Sequence, residues 1–191
     1  MEIKQDELAV LKKQAYTIRF MVADMVQNAN SGHPGASMGL ADVAVVLGSY
    51  FKYNPKNHRW LNRDRLVFSG GHVSALAYTL FYLWGYNLDL KDLKNFRQVI
   101  KNKDNLLVSS KTPGHLEYGV TEGVEITTGP LGQGIANAVG FALASKLASN
   151  KLNNSDVKII DHKIYCICGD GDIQEGISCL LYTSPSPRDR G

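Results

Sequence analysis

An α/β domain, with a mostly parallel sheet flanked by helices, is the fold class that this 191-residue sequence predicts. Three observations carry it. Segments with apolar residues every three or four positions alternate with short apolar strands. Two of those strands run directly into glycine turns, Ser69-Gly70-Gly71-His72 and Gly169-Asp170-Gly171-Asp172. The composition, 44% hydrophobic and 20% charged, suits a globular chain with one real core.

Leu8, Leu11, Ala15, Ile18, Val22 and Met25 recur at helical spacing, which predicts an amphipathic helix from Leu8 to Val26. Asn30-Ser31-Gly32 stops it. Met38 to Phe51 reads as a second helix, and the polar run from Asn54 to Arg65 as a surface loop. Leu66-Val67-Phe68 is a strand, and Val73 to Trp84 a buried helix. Asp89 is placed to cap a helix through Gln98. Residues 99–128 carry no periodicity; Lys101 to Asn105 reads as a mobile excursion, and Lys111 to Gly123 as a binding loop. Pro130 suits the first turn of a helix from Leu131 to Ser149. On that helix Gly132, Ala136, Gly140 and Ala144 form a small stripe, and Ile135, Val139, Leu143 and Leu147 a bulky one read as core. Lys163 to Cys168 is a strand, and a new helix begins near Asp172.

Charge and cysteine usage exclude several function classes. Twenty-one Lys and Arg against 18 Asp and Glu leave +3, too little to suggest nucleic acid or an acidic membrane. Cys166, Cys168 and Cys179 make neither a disulfide framework nor a zinc spacing, and the first two alternate within a strand. The charged N-terminus lacks the apolar stretch of a signal peptide, and Ala75 to Tyr86 is too short to span a bilayer. The expectation is a cytoplasmic chain.

Fourteen of the 18 glycines fall into five clusters, as expected where backbone must approach a ligand. Three of the five histidines follow a glycine within those clusters: His33, His72 and His115. Imidazole exchanges hydrogen bonds and protons near neutral pH, so three aimed histidines point to chemistry rather than to unrelated surface turns. At the carboxyl end of its strand, Asp170 is a hard oxygen ligand suited to Mg²⁺ or Ca²⁺, although Asp-Gly turns are common by themselves. Thr127 to Gly134 is a glycine-bearing loop opening a helix, a geometry that receives anions; no Gly-Lys-Ser/Thr follows, so it is no Walker sequence.

SGHPG at 31–35, SGGH at 69–72, KTPGH at 111–115, TTGPLGQG at 127–134 and GDGDIQEG at 169–176 occur in that order. WLNRDRLVFS at 60–69 and LKNFRQ at 93–98 accompany them. Together this set resembles the N-terminal, diphosphate-binding domain of transketolase, from about Leu8 to Ser178. The resemblance implies a thiamine-diphosphate-binding fold, with thiamine diphosphate and Mg²⁺ (or Ca²⁺) as cofactors. It implies Asp170 as metal ligand, Gly171 as diphosphate contact, and Gly129, Pro130 and Leu131 as the loop against the cofactor. His72 would lie on the cofactor side. His33 and His115 would meet sugar hydroxyls and assist proton transfer, and Glu175 would link the two sites of a homodimer. The implied reaction, in the pentose phosphate pathway, moves a two-carbon ketol unit between sugar phosphates. A split transketolase-like enzyme, a related thiamine synthase, or a phosphate-binding module without catalysis are the alternatives. Leu116 replaces the family's usual proline and is expected to loosen its loop. Gln98 to Lys111 is longer than the family spacing, a difference that a surface bulge would absorb.

Beyond Ser178 the family pattern stops. Cys179 to Asp189 reads as the translation of a transposase-type sequencing adapter, and its prolines cannot extend a helix. The expected organisation is an incomplete diphosphate-binding domain over 1–178 and a non-native, unstructured tail over 179–191. Such a truncated chain would lack a second metal ligand and be inactive alone.

Overall fold

The computed structural model describes residues 5–183 and shows a mixed α/β fold, mostly helical, with two small sheets. Helix α1 (Gln5–Ala29) buries Ala15, Ile18, Val22 and Met25, while Leu8 stays 41% exposed. Asn30, at φ 48°, turns the chain out of it. The single helix expected from Met38 to Phe51 is two: α2 (Pro34–Gly39) and α3 (Ala41–Tyr50), broken at Leu40. Pro34 starts the first early because its missing N–H is no loss there.

Strand β1 (Arg65–Phe68) leads through a single 3₁₀ turn at Gly71–Val73 into α4 (Ser74–Leu83). Every residue of α4 from Ser74 to Phe81 is buried, so it is the central post of the core. Helix α5 (Leu90–Lys94) opens on a reciprocal cap between Asp89 and Asp92 and ends before the expected Gln98. Arg97, at φ 61°, could not have carried a right-handed helix on to Gln98.

Lys101 to Asn105, expected as a mobile excursion, carry regular local structure. These residues form the tip of a hairpin between β2 (Val99–Lys101) and β3 (Leu107–Ser109), which are antiparallel. Asn102 Oδ1 accepts the N–H groups of Asp104 and Leu106, and Asn105 takes φ 62°, so side-chain turn chemistry replaces hydrophobic periodicity as the local signal. Ser110 N–H donates to Gln98 O at 3.0 Å and Arg97 N–H to Thr112 O at 2.9 Å, so the extra length closes on itself.

Helix α6 (Gln133–Leu152) begins later than expected: Gly132, at φ 78°, caps it, and Pro130 lies outside. Its bulky stripe is not core. Val139, Leu143 and Leu147 are 48%, 58% and 55% exposed. Periodicity marks a face that can be covered, and no described residue covers it. Strand β4 (Ile164–Ile167) pairs parallel to β1 in the register Arg65↔Ile164 to Phe68↔Ile167. The parallel part of the sheet among the described residues is this one pair.

Helices α7 (Asp170–Gln174) and α8 (Gly176–Thr183) complete the described chain. Residues 179–183, expected as part of an unstructured tail, continue α8 as far as Thr183, and Leu180 on it is 67% exposed. Residues 184–191 lie outside the described residues. Among the described residues, no helix is long and apolar enough to cross a membrane.

Candidate functional site

The carboxyl ends of β1 and β4 lie side by side, because Ser69 N–H donates to Ile167 O at 2.8 Å. The glycine turns that follow the two strands therefore meet. Asp172, 1% exposed, holds them together. Its Oδ1 accepts from Ser69 Oγ and from Gly132 N–H, both at 2.9 Å, and its Oδ2 accepts from Gly169 N–H at 2.9 Å. Ser69 Oγ in turn accepts from Ile135 N–H at 3.2 Å. One buried carboxylate thus joins the end of β1, the loop before α6 and the turn after β4. Burial pushes the Asp172 carboxyl up, but the donors from Gly132, Gly169 and Ser69, with His72 nearby, outweigh it and hold the group below the ordinary carboxylate range.

Two glycines are required by the closeness of these segments. A Cβ on Gly71 would lie 2.3 Å from Thr128 O, and one on Gly134 2.3 Å from Ser69 Cα. Backbone occupies both places.

The three predicted histidines come together. The ring of His33 lies 5.7 Å from that of His72 and 6.1 Å from that of His115. His72 sits in the turn directly after Ser69, so the histidine cluster adjoins the carboxylate network. Burial, then Arg97, then the other two imidazoles, lower the pKa of His33. Leu116 is 2% exposed within the core, so it anchors the His115 loop rather than loosening it. Tyr78 supports the same loop, its hydroxyl donating to the carbonyls of Pro113 and His115 at 3.0 and 3.1 Å.

Asp170 is exposed as the first residue of α7, at the end of β4. A Cβ on Gly171 would touch Leu131 Cδ1 at 3.4 Å, so the GDG turn faces the Gly129-Pro130-Leu131 segment at contact distance. No atom lies within 4 Å of a Cβ built on Gly129. Thr128 Oγ1 is buried without a partner. Glu175, exposed at the end of α7, has its Cβ 2.9 Å from a Cβ built on Gly132. An exposed carboxylate beside a glycine loop with open space and an orphaned hydroxyl fits a metal-bound diphosphate. Asp170 would supply one hard oxygen, and among the described residues no group of three or more His, Cys, Asp or Glu is placed to hold a metal unaided. The cavity of about 340 Å³ lined in part by His58, Arg63, Lys111 and Glu122 includes none of the predicted site residues.

Asp172 and Arg97 were not among the predicted residues. Asp172 carried a signal in lying two residues after Asp170. Arg97 carried one as the lone basic residue of Asn95-Phe96-Arg97-Gln98, between two histidine loops.

Residues 10–182 match the family model "Transketolase, thiamine diphosphate binding domain". Transketolase 1 of Pasteurella multocida is 51% identical over 172 residues, covering 90% of this chain and 24% of that protein. Transketolase 2 of Escherichia coli is 52% identical over 168 residues, covering 87% and 24%. The crystal structure of transketolase from Campylobacter jejuni superimposes with a TM-score of 0.80 at 63% identity, over 91% of this chain and 26% of that one. A Pichia stipitis transketolase in complex with sedoheptulose-7-phosphate gives 0.83 at 46% identity, over 89% and 24%. The chain spans about a quarter of the length of these relatives.

Proposed function

From the premise that this chain belongs to the transketolase family, as its thiamine diphosphate binding domain, we propose that it holds the diphosphate end of thiamine diphosphate in a ketol-transferring enzyme. The whole protein would move a two-carbon unit from a ketose phosphate to an aldose phosphate. The observation that carries this is three neighbouring imidazoles, His33, His72 and His115, beside glycine turns locked by one buried carboxylate. A phosphate-binding module would need backbone N–H groups and cations but no imidazole cluster.

When bound, the cofactor supplies the electron sink for breaking the bond beside the ketose carbonyl. Asp170 would hold its Mg²⁺ (or Ca²⁺) and Gly171 its diphosphate, with Gly129, Pro130 and Leu131 against it. His72 would face the cofactor. His33 and His115 would bind sugar hydroxyls, and protons would move through this cluster. Glu175 would help link the two sites of a cytoplasmic homodimer. The chain 1–191 alone would be inactive, because the pyrimidine-side glutamate of the family and a second protein ligand to the metal are not among its matched motifs.

In the full-length protein, Asp170→Ala should abolish retention of thiamine diphosphate with Mg²⁺, measured by calorimetry. His115→Ala should retain the cofactor and raise the KM for sugar phosphate about tenfold, or ~1.4 kcal/mol. Loss of cofactor alone in both variants would overturn this division of roles. Ketol transfer by purified 1–191 above the enzyme-free rate would overturn its inactivity.

A further inference from the structure

Arg97 is the basic side chain on which the two histidine loops converge. Its Nη2 lies 3.0 Å from His33 Nδ1 and 3.4 Å from Gly114 O, and its Nη1 donates to Ser31 Oγ at 3.0 Å. The first and third contacts hold the Ser31–His33 loop, and the second holds the loop carrying His115. Gly114 permits the approach: a Cβ there would press on Arg97 Nε and Cζ at 3.3 and 3.4 Å. The backbone of Arg97 stands at φ 61°, a conformation that favours glycine, with its N–H fixed to Thr112 O at 2.9 Å. A side chain kept at such a position calls for a reason, and the guanidinium aimed back over both loops provides one.

We infer that Arg97 is a positioning residue of the histidine cluster: it holds His33 as the neutral Nε2–H tautomer and clamps the His33 and His115 loops together. A guanidinium has five donors and no acceptor, and it does not deprotonate in a protein. The Nδ1 atom facing it must therefore offer a lone pair. In neutral imidazole the proton then sits on Nε2. A second proton on Nδ1 would set two donors against each other. The charged and titratable groups facing His33 are Arg97, His72 and His115, and each of them, after burial, opposes protonation.

The chemical consequence rests on the ketol-transfer reading above. With Nδ1 occupied and Nε2 carrying hydrogen, His33 donates a hydrogen bond to a substrate oxygen and accepts no proton there. Proton acceptance passes to His72 and His115, whose rings stand within 5.7 and 6.1 Å of it.

The test uses the chain 1–191 labelled with ¹⁵N-histidine, read by long-range ¹H–¹⁵N correlation spectra across pH, with His33→Gln assigning the signal. His33 should show the Nε2–H pattern in its neutral form. Arg97→Met should give a tautomer mixture and a higher titration midpoint. Arg97→Lys, which keeps one cationic donor, should restore the Nε2–H pattern. A wild-type His33 protonated at Nδ1, or a tautomer and midpoint unmoved by Arg97→Met, overturns the inference. If Arg97→Met does not fold by circular dichroism, the other two spectra decide: a tautomer mixture in either overturns it. Cofactor binding enters none of these readings. A wrong tautomer thus leaves the Asp170 prediction standing, and failure of cofactor retention leaves the tautomer standing.

Discussion

Asp172→Ala should lower the unfolding free energy of the chain by about 3–5 kcal/mol, because it strands Ser69 Oγ and the N–H groups of Gly132 and Gly169 in a buried place. Chemical denaturation of 1–191 measures this. Asp172→Asn keeps one acceptor oxygen and should cost about half as much. A loss under about 1 kcal/mol for the alanine variant would mean that solvent reaches the three donors. The carboxylate also sets a pH signature. Its folded pKa is depressed, so its stabilisation is complete above the unfolded value of about 3.9 and disappears as pH falls through the lower folded value. Wild type should therefore lose stability in that acid window more steeply than Asp172→Asn.

Gly134→Ala should destabilise the chain by about 3 kcal/mol, the upper end of what overpacking costs. The new methyl would sit 2.3 Å from Ser69 Cα and 3.0 Å from Ser69 N. Helix propensity pulls the other way, since alanine is better than glycine by about 1 kcal/mol within a helix. Gly140 on the same helix separates the two effects. Nothing lies within 4 Å of a Cβ there, so Gly140→Ala should stabilise by about 1 kcal/mol. Thermal melts of both variants read opposite signs. A stabilising Gly134→Ala would show that α6 and the end of β1 are not in contact in solution.

Much of the fold was legible because its signals are local. The repeat from Ala15 to Met25 marks the buried face of α1, and the apolar run in α4 marks its central place. The three Gly-His pairs drew attention to the histidines now found adjacent. What escaped depends on partners distant in the chain or on covering surface. Asp172 draws its meaning from Ser69, 103 residues away, and Gly132, 40 away. Arg97 draws its meaning from His33, 64 residues before it. The hairpin at 99–109 is set by Asn102 and Asn105, not by alternation. The α6 stripe at Val139, Leu143 and Leu147 has the spacing of a core face, yet spacing says nothing of whether another segment lies over it.

The pairing of β1 with β4 gives this molecule a timetable as it is synthesised. The groups that the guanidinium of Arg97 contacts, on Ser31, His33 and Gly114, have all been synthesised by residue 116. The β1 strand, by contrast, waits for a neighbour almost a hundred residues later, and Ser69 waits 103 residues for Asp172. Closing so long a loop is slow relative to the local helices, although its length adds only modestly to the entropic cost. The histidine half can thus settle while the turns around Gly132 and Gly169 still lack the carboxylate that joins them. A nascent chain arrested before residue 172 should show a protected α1–α4 core beside a protease-sensitive segment from Thr127 onward, and protection should spread there only once Asp172 has left the ribosome.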